Sequence, residues 1–165
     1  MTEIATTAGA AALGWVAGMR SATPPALLAR AFGQRSVVQH LRDRRRQPAR
    51  ALAARRAAPL LAVAALGEML ADKLPIMPDR TSPPVLAGRV VSGAVAGAAL
   101  AVARRQPLAV PALVGAAGAV VSSYAMMALR RRVGERLAVP DTAVALAEDG
   151  LALGIGAAVV QQALG

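Results

Sequence analysis

Residues 107–129, PLAVPALVGAAGAVVSSYAMMAL, decide the fold class of this chain. The stretch carries no charged residue. At about 1.5 Å per residue, a helix of this length crosses a hydrocarbon core of about 30 Å. Its Gly, Ala and Ser residues are typical of helices that pack closely within a bilayer. The stretch therefore predicts a transmembrane helix.

The composition extends this prediction to the whole chain, which has 165 residues and is 56% hydrophobic but only 2% aromatic. A soluble Ala-rich helical protein is the rival interpretation, because Ala, Leu and Arg favour helices. The charges, however, are bunched between the apolar runs, which favours a membrane protein. We expect one all-α domain over residues 1–165, a polytopic bundle of four to five transmembrane segments, some broken at proline. The further segments are 7–33, 57–75, 83–103 and 141–164.

Several functional classes are excluded or disfavoured by the residue types. The chain has no cysteine, and His40 is its single histidine. We interpret His40 as a solvated loop residue. A glycine-rich phosphate loop, a metal-binding histidine pair and a Gly-x-Ser-x-Gly motif are all missing. We therefore expect no catalytic residues and no cofactor, while the sequence leaves open whether a metal binds. Since Glu3 is the only early charge, we expect no cleaved signal peptide.

The most basic stretch, residues 34–56, lies between two apolar segments. The positive-inside rule predicts a cytoplasmic loop or interfacial helix. With a net charge of +10 and few aromatic residues, the chain favours an anionic lipid surface over nucleic acid as its partner. We expect the lipid headgroups to bind the arginines of this loop, namely Arg42, Arg44, Arg45 and Arg46.

Five spans would place the N-terminus outside, and Arg104 and the C-terminus inside with the basic loop. The same count places Arg130, Arg131, Arg132 and Arg136 outside, which the rule disfavours. Two explanations are open: segment 7–33 does not span fully, or these arginines stabilise something local.

Charged residues also occur within the apolar segments, where an isolated charge is costly. Arg20 precedes Pro24 and Pro25, which predict a kink or break in the helix. Such residues should face the bundle interior and pair with one another. They form either a structural ion-pair network or the lining of a substrate or ion pathway. The residues are Arg20, Glu68, Asp72, Lys73, Arg89, Glu148 and Asp149.

Three motifs resemble the DUF4126 family of small bacterial integral membrane proteins. They are GMRSATPPALLA, GEMLADKLPIMPDRTSPPVLAGRVVSGA and ALAEDGLALGIG, and together they cover about half of the chain. The resemblance implies a multi-span protein and points to the same charged residues apart from Arg89. It names no substrate, because the family has no settled activity.

These observations favour a small transporter or channel in the bacterial inner membrane, with a polar site for an ion, a proton or a small polar solute. The small-residue faces Gly93/Gly97 and Gly115/Gly118 predict close helix contacts between or within protomers, and we expect a homo-oligomer. The alternative is a non-transporting scaffold or lipid-interacting protein whose ion pairs are structural. A membrane-embedded enzyme acting on a lipid is the third interpretation.

Overall fold

A computed structural model describes residues 3–33, 52, 54, 56–71, 82–137 and 140–164. These residues form six α-helices, which confirms the all-α prediction. The helices are α1 (Glu3–Met19), α2 (Thr23–Gly33), α3 (Ala57–Ala71), α4 (Pro83–Ala103), α5 (Ala109–Leu137) and α6 (Asp141–Leu164).

Three of the helices in the described part are long and apolar enough to cross a bilayer, over Pro83–Ala103, Ala109–Val133 and Thr142–Ala163. Helix α3 contains a shorter apolar stretch, Ala57–Leu70. Large apolar side chains project from the outer surfaces of α3, α5 and α6, as a lipid-facing exterior requires. These features indicate a membrane protein, but they do not confirm a count of four to five spans.

Segment 7–33 is divided into two helices, which confirms the predicted break. Helix α1 ends at Met19 and α2 begins at Thr23. Pro24 and Pro25 lie in the first turn of α2, where a missing N–H removes no intrahelical hydrogen bond. The two prolines are therefore compatible with the start of a helix.

Helix α2 reverses the direction of α1. Leu27 of α2 and Val16 of α1 both reach Gly156 of α6. If α2 continued along the axis of α1, Leu27 would lie well beyond Val16, whereas it lies beside it. The α1–α2 segment is thus a hairpin inside the bundle. This differs from the expected single span and agrees with the explanation that segment 7–33 does not span fully.

Helices α1, α4 and α5 form a core in which glycines allow the backbones to touch. A Cβ atom added to Gly14 would lie 2.2 Å from the carbonyl oxygen of Gly115. One added to Gly97 would lie 2.1 Å from the oxygen of Pro111. No larger residue fits at these crossings without moving a helix. The predicted small-residue faces at Gly93/Gly97 and Gly115/Gly118 therefore make contacts within the chain.

The hairpin places the start of α1 near the C-terminal ends of α4 and α6. Gly9 of α1 lies beside Leu100 of α4 and Val159 of α6. Arg104, just after α4, donates hydrogen bonds to carbonyl oxygens in the last turn of α6, including that of Ala163 at 3.5 Å. The described geometry therefore puts the N-terminus at the same end as the C-terminus, and not opposite to it as the five-span count predicts. Residues 34–51 lie outside the described part.

This geometry predicts the labelling pattern of single cysteines in the otherwise cysteine-free chain. Glu3→Cys and Pro107→Cys should react with an impermeant maleimide from one side of oriented vesicles. Pro140→Cys, between α5 and α6, should react from the other side. Labelling of Glu3→Cys together with Pro140→Cys would contradict the hairpin and restore the five-span topology.

The glycine core predicts that identical substitutions will differ in effect. Gly14→Ala would force a Cβ atom against a backbone oxygen and should destabilise the protein by about 1–3 kcal/mol or more. Gly154→Ala is the matched control, because no atom lies within 4 Å of its added Cβ. Thermal unfolding in detergent measures both. Equal midpoints for the two variants would show that the crossing tolerates a methyl group.

Candidate functional site

The break between α1 and α2 frees backbone carbonyls inside the bundle, and side chains of other helices donate to them. The oxygen of Gly18 accepts hydrogen bonds from Nη1 of Arg89 on α4 and from Oγ of Ser123 on α5, the latter at 3.4 Å. The oxygen of Ser21 accepts one from Oγ of Ser92 on α4. Broken helices at membrane depth require such partners, because lipid supplies none.

The amides on the other side of the break are bound by one carboxylate. Oε1 of Glu68, on α3, accepts hydrogen bonds from the N–H of Ser21 at 2.8 Å and from its hydroxyl at 2.9 Å. Oε2 accepts one from the N–H of Ala22 at 2.8 Å. Glu68 thus caps α2 from another helix, at the end where the helix dipole favours a negative charge.

Arg20 is fully buried at the break and forms an ion pair with α6. Its Nε lies 2.5 Å from Oδ1 of Asp149. The guanidinium also follows the C-terminus of α1, where the helix dipole favours a cation. The predicted pairing of an α6 carboxylate with Arg20 is confirmed for Asp149.

Glu148, also buried, has a partner that the sequence analysis did not include in the site. Nη2 of Arg130 on α5 lies 2.9 Å from Oε2 of Glu148. The side chain of Arg130 is 25% exposed, whereas that of Glu148 is 2% exposed. The sequence did contain a signal for this pair. It was the arginine run at residues 130–136, whose placement on the outer side the positive-inside rule disfavours. One of these arginines does stabilise something local.

The Arg130–Glu148 pair bridges two helices that otherwise touch little, although they are consecutive in the chain. Each packs on α1 instead. Arg89 lies six positions after Pro83, about 9 Å along α4, and Glu148 lies at a similar depth in α6. The charged groups therefore form one layer about two turns inside one end of the bundle. The opposite end is filled by apolar side chains such as Leu13, Phe32 and Leu100.

The described charges in this layer balance. Asp72, Lys73, His40 and the loop arginines Arg42, Arg44, Arg45 and Arg46 lie outside the described residues, so the structure does not place them. Within the described ranges, no group of three His, Asp or Glu side chains could hold a metal ion. Among the described residues, the charged layer contains three cations and three anions. Its members are the cations Arg20, Arg89 and Arg130 and the anions Glu68, Glu148 and Asp149.

Comparisons with known proteins assign no function to this chain. A scan against protein-family models found no matching family, and searches of curated proteins and of solved structures found no match. The resemblance to the DUF4126 family therefore stays a prediction.

The Arg20–Asp149 pair predicts strong coupling between the two residues. Asp149→Asn leaves a buried guanidinium without this carboxylate and should cost about 3–5 kcal/mol. Arg20→Met combined with Asp149→Asn should cost less than the two single changes together, because both charges are removed. A double-mutant cycle of unfolding free energies measures the coupling. Glu3→Gln, at an exposed position, is the control and should change stability by about 0.5 kcal/mol or less. Additive effects would show that the pair is not coupled.

Proposed function

We propose that this chain is a small multi-pass transporter or channel of a bacterial inner membrane, and that the charged layer at the α1–α2 break is its site for an ion, a proton or a small polar solute. The observation that carries the proposal is the break itself. An apolar bundle contains an interrupted helix surrounded by ionisable side chains from α3, α4, α5 and α6.

Two physical arguments support transport. Charges within membrane helices are costly, and where they occur they commonly mark ion or solute pathways. Interrupted helices in transporters present free helix ends to their substrates near the middle of the bilayer.

Further parts of the proposal rest on the sequence. Membership of the DUF4126 family is proposed from the three motifs that resemble it. Contacts between anionic lipid headgroups and Arg42, Arg44, Arg45 and Arg46 are proposed from the charge pattern. A homo-oligomer is proposed because the described helices make a thin bundle.

A scaffold whose ion pairs only stabilise the fold is the second candidate. It is favoured by the observation that the chain itself satisfies both ends of the break, through Glu68 on one side and Arg89 and Ser123 on the other. A scaffold requires no more than this. Vesicle flux separates the two candidates, because only a transporter loses an activity when a charge in the layer is removed.

The transport proposal predicts that Asp149→Asn reduces flux at least tenfold in reconstituted vesicles. The reason is that Asp149 anchors Arg20 at the break. Efflux is measured with fluorescent reporters for protons, alkali cations, chloride and small organic solutes. Glu3→Gln is the matched carboxylate-to-amide control and should retain wild-type flux.

Two results would overturn this proposal. One is a folded Asp149→Asn protein with full flux, because the layer would then not be the site. The other is wild-type protein that moves none of the solutes under any gradient, and this result would favour the scaffold. Circular dichroism and gel filtration in detergent establish that each variant is folded.

A further inference from the structure

We infer that the C-terminal part of α5 binds one anionic phospholipid, whose phosphate lies between Arg131 and Arg132 and whose acyl chain lies along an exposed face of the helix. This lipid site is separate from the charged layer and from the basic loop. It does not depend on transport.

The exposed face of α5 has the polarity of a lipid molecule. Exposed side chains recur every three or four residues, which places them on one side of the helix. The face is apolar as far as Ala128 and cationic beyond it, with Arg132 exposed next to Arg131. Its members are Leu113, Ala117, Val121, Tyr124, Ala128 and Arg131.

The length of this face matches one leaflet of a bilayer. From Ala117 to Arg131 the face is about 21 Å long, and half of a hydrocarbon core of about 30 Å is about 15 Å deep. The apolar span that contains the face ends at Val133, so the two arginines lie at the level of the lipid headgroups. A lipid with its phosphate at the arginines therefore has its acyl chain beside Ala128, Tyr124 and Val121.

The charge of this region favours an anionic headgroup. Arg130 is paired with Glu148, whereas Arg131 and Arg132 are exposed and make no ion pair among the described residues. Guanidinium groups bind phosphate oxygens strongly, and each arginine near the membrane surface adds to the attraction of anionic lipids. A zwitterionic headgroup brings a cation of its own, which offsets part of this attraction.

The lipid site and the basic loop belong to different leaflets. The chain enters residues 34–51 after Gly33, the last residue of α2. Phe32 packs with Leu13 and Leu100 at the end of the bundle opposite the charged layer. Arg131 lies at the end of the charged layer, where the positive-inside rule disfavours arginine. A bound anionic lipid supplies a reason for arginines at this end.

The test measures which lipid contacts the exposed face. The chain has no cysteine, so Ala128→Cys can be labelled specifically with a bimane fluorophore. The labelled full-length protein is reconstituted in phosphatidylcholine that contains brominated phosphatidylglycerol or brominated phosphatidylcholine as the quencher. Phosphatidylglycerol should reach half-maximal quenching at an about fivefold lower mole fraction, and high salt should reduce this preference.

A second label position controls for general enrichment of anionic lipid around the protein. Leu151 of α6 is 55% exposed and lies about 15 Å from the start of its helix, much as Ala128 lies about 14 Å from the end of α5. The two brominated lipids should quench a bimane at Leu151→Cys equally, because no arginine pair lies beside it among the described side chains.

Charge variants assign the preference to the two arginines. Arg131→Gln combined with Arg132→Gln, in the labelled Ala128→Cys protein, should make the two lipids quench equally. Arg44→Gln combined with Arg45→Gln removes the same charge from the basic loop and should leave the preference unchanged. If gel filtration shows that the first combination does not fold, Arg132→Gln alone is measured and should lower the preference by about half.

Four results would overturn the lipid site. They are equal quenching by both lipids at Ala128→Cys, an equal preference at Leu151→Cys, a preference that survives the loss of both α5 arginines, and a preference that disappears with the loop variant. Flux takes no part in this experiment, so the transport proposal is tested separately and can fail while the lipid site stands.

Discussion

The backbone of residues 20–22 leaves the α-helix inside an apolar bundle, so its peptide groups need partners from other segments. This requirement explains why every neighbouring helix brings a polar side chain to the same depth. Cations and hydroxyls lie beside the end of α1, and a carboxylate lies at the start of α2. The helix dipoles favour this distribution of charge. The polar layer is therefore both a structural solution and the place with the richest chemistry in the bundle.

Three helices of the bundle are locked together by close backbone contacts. Helices α1, α4 and α5 cross at glycines where backbone oxygens fill the space of a missing side chain, so these three cannot slide past one another without collision. Among the described residues, no glycine of α3 or α6 lies against the backbone of another helix, and Gly150 and Gly154 of α6 face open space. The break is thus built on a fixed support, to which α6 is tied by two ion pairs and α3 by the hydrogen bonds of Glu68.

The sequence predicted the elements whose signal is local. Pro24 and Pro25 indicated the break, and the uncharged run at 107–129 indicated α5. The direction of α2 was not predictable, because hydropathy shows whether a segment is long enough to cross the membrane but not in which direction its helix runs. Arg130 was also missed, since its partner Glu148 is defined by the crossing of two helices and not by spacing along the chain. Glu68 was predicted to face the bundle interior, but its role as a cap on another helix required the structure.

The pair between Arg20 and Asp149 has a consequence for how the protein is made. The two residues are 129 positions apart in the chain. At roughly 5–20 residues per second, the ribosome adds Asp149 on the order of ten seconds after Arg20. During that interval α1 carries a guanidinium toward the bilayer before this carboxylate exists. Stable seating of the first helix must therefore wait for the last one, and the bundle closes only when synthesis is nearly complete.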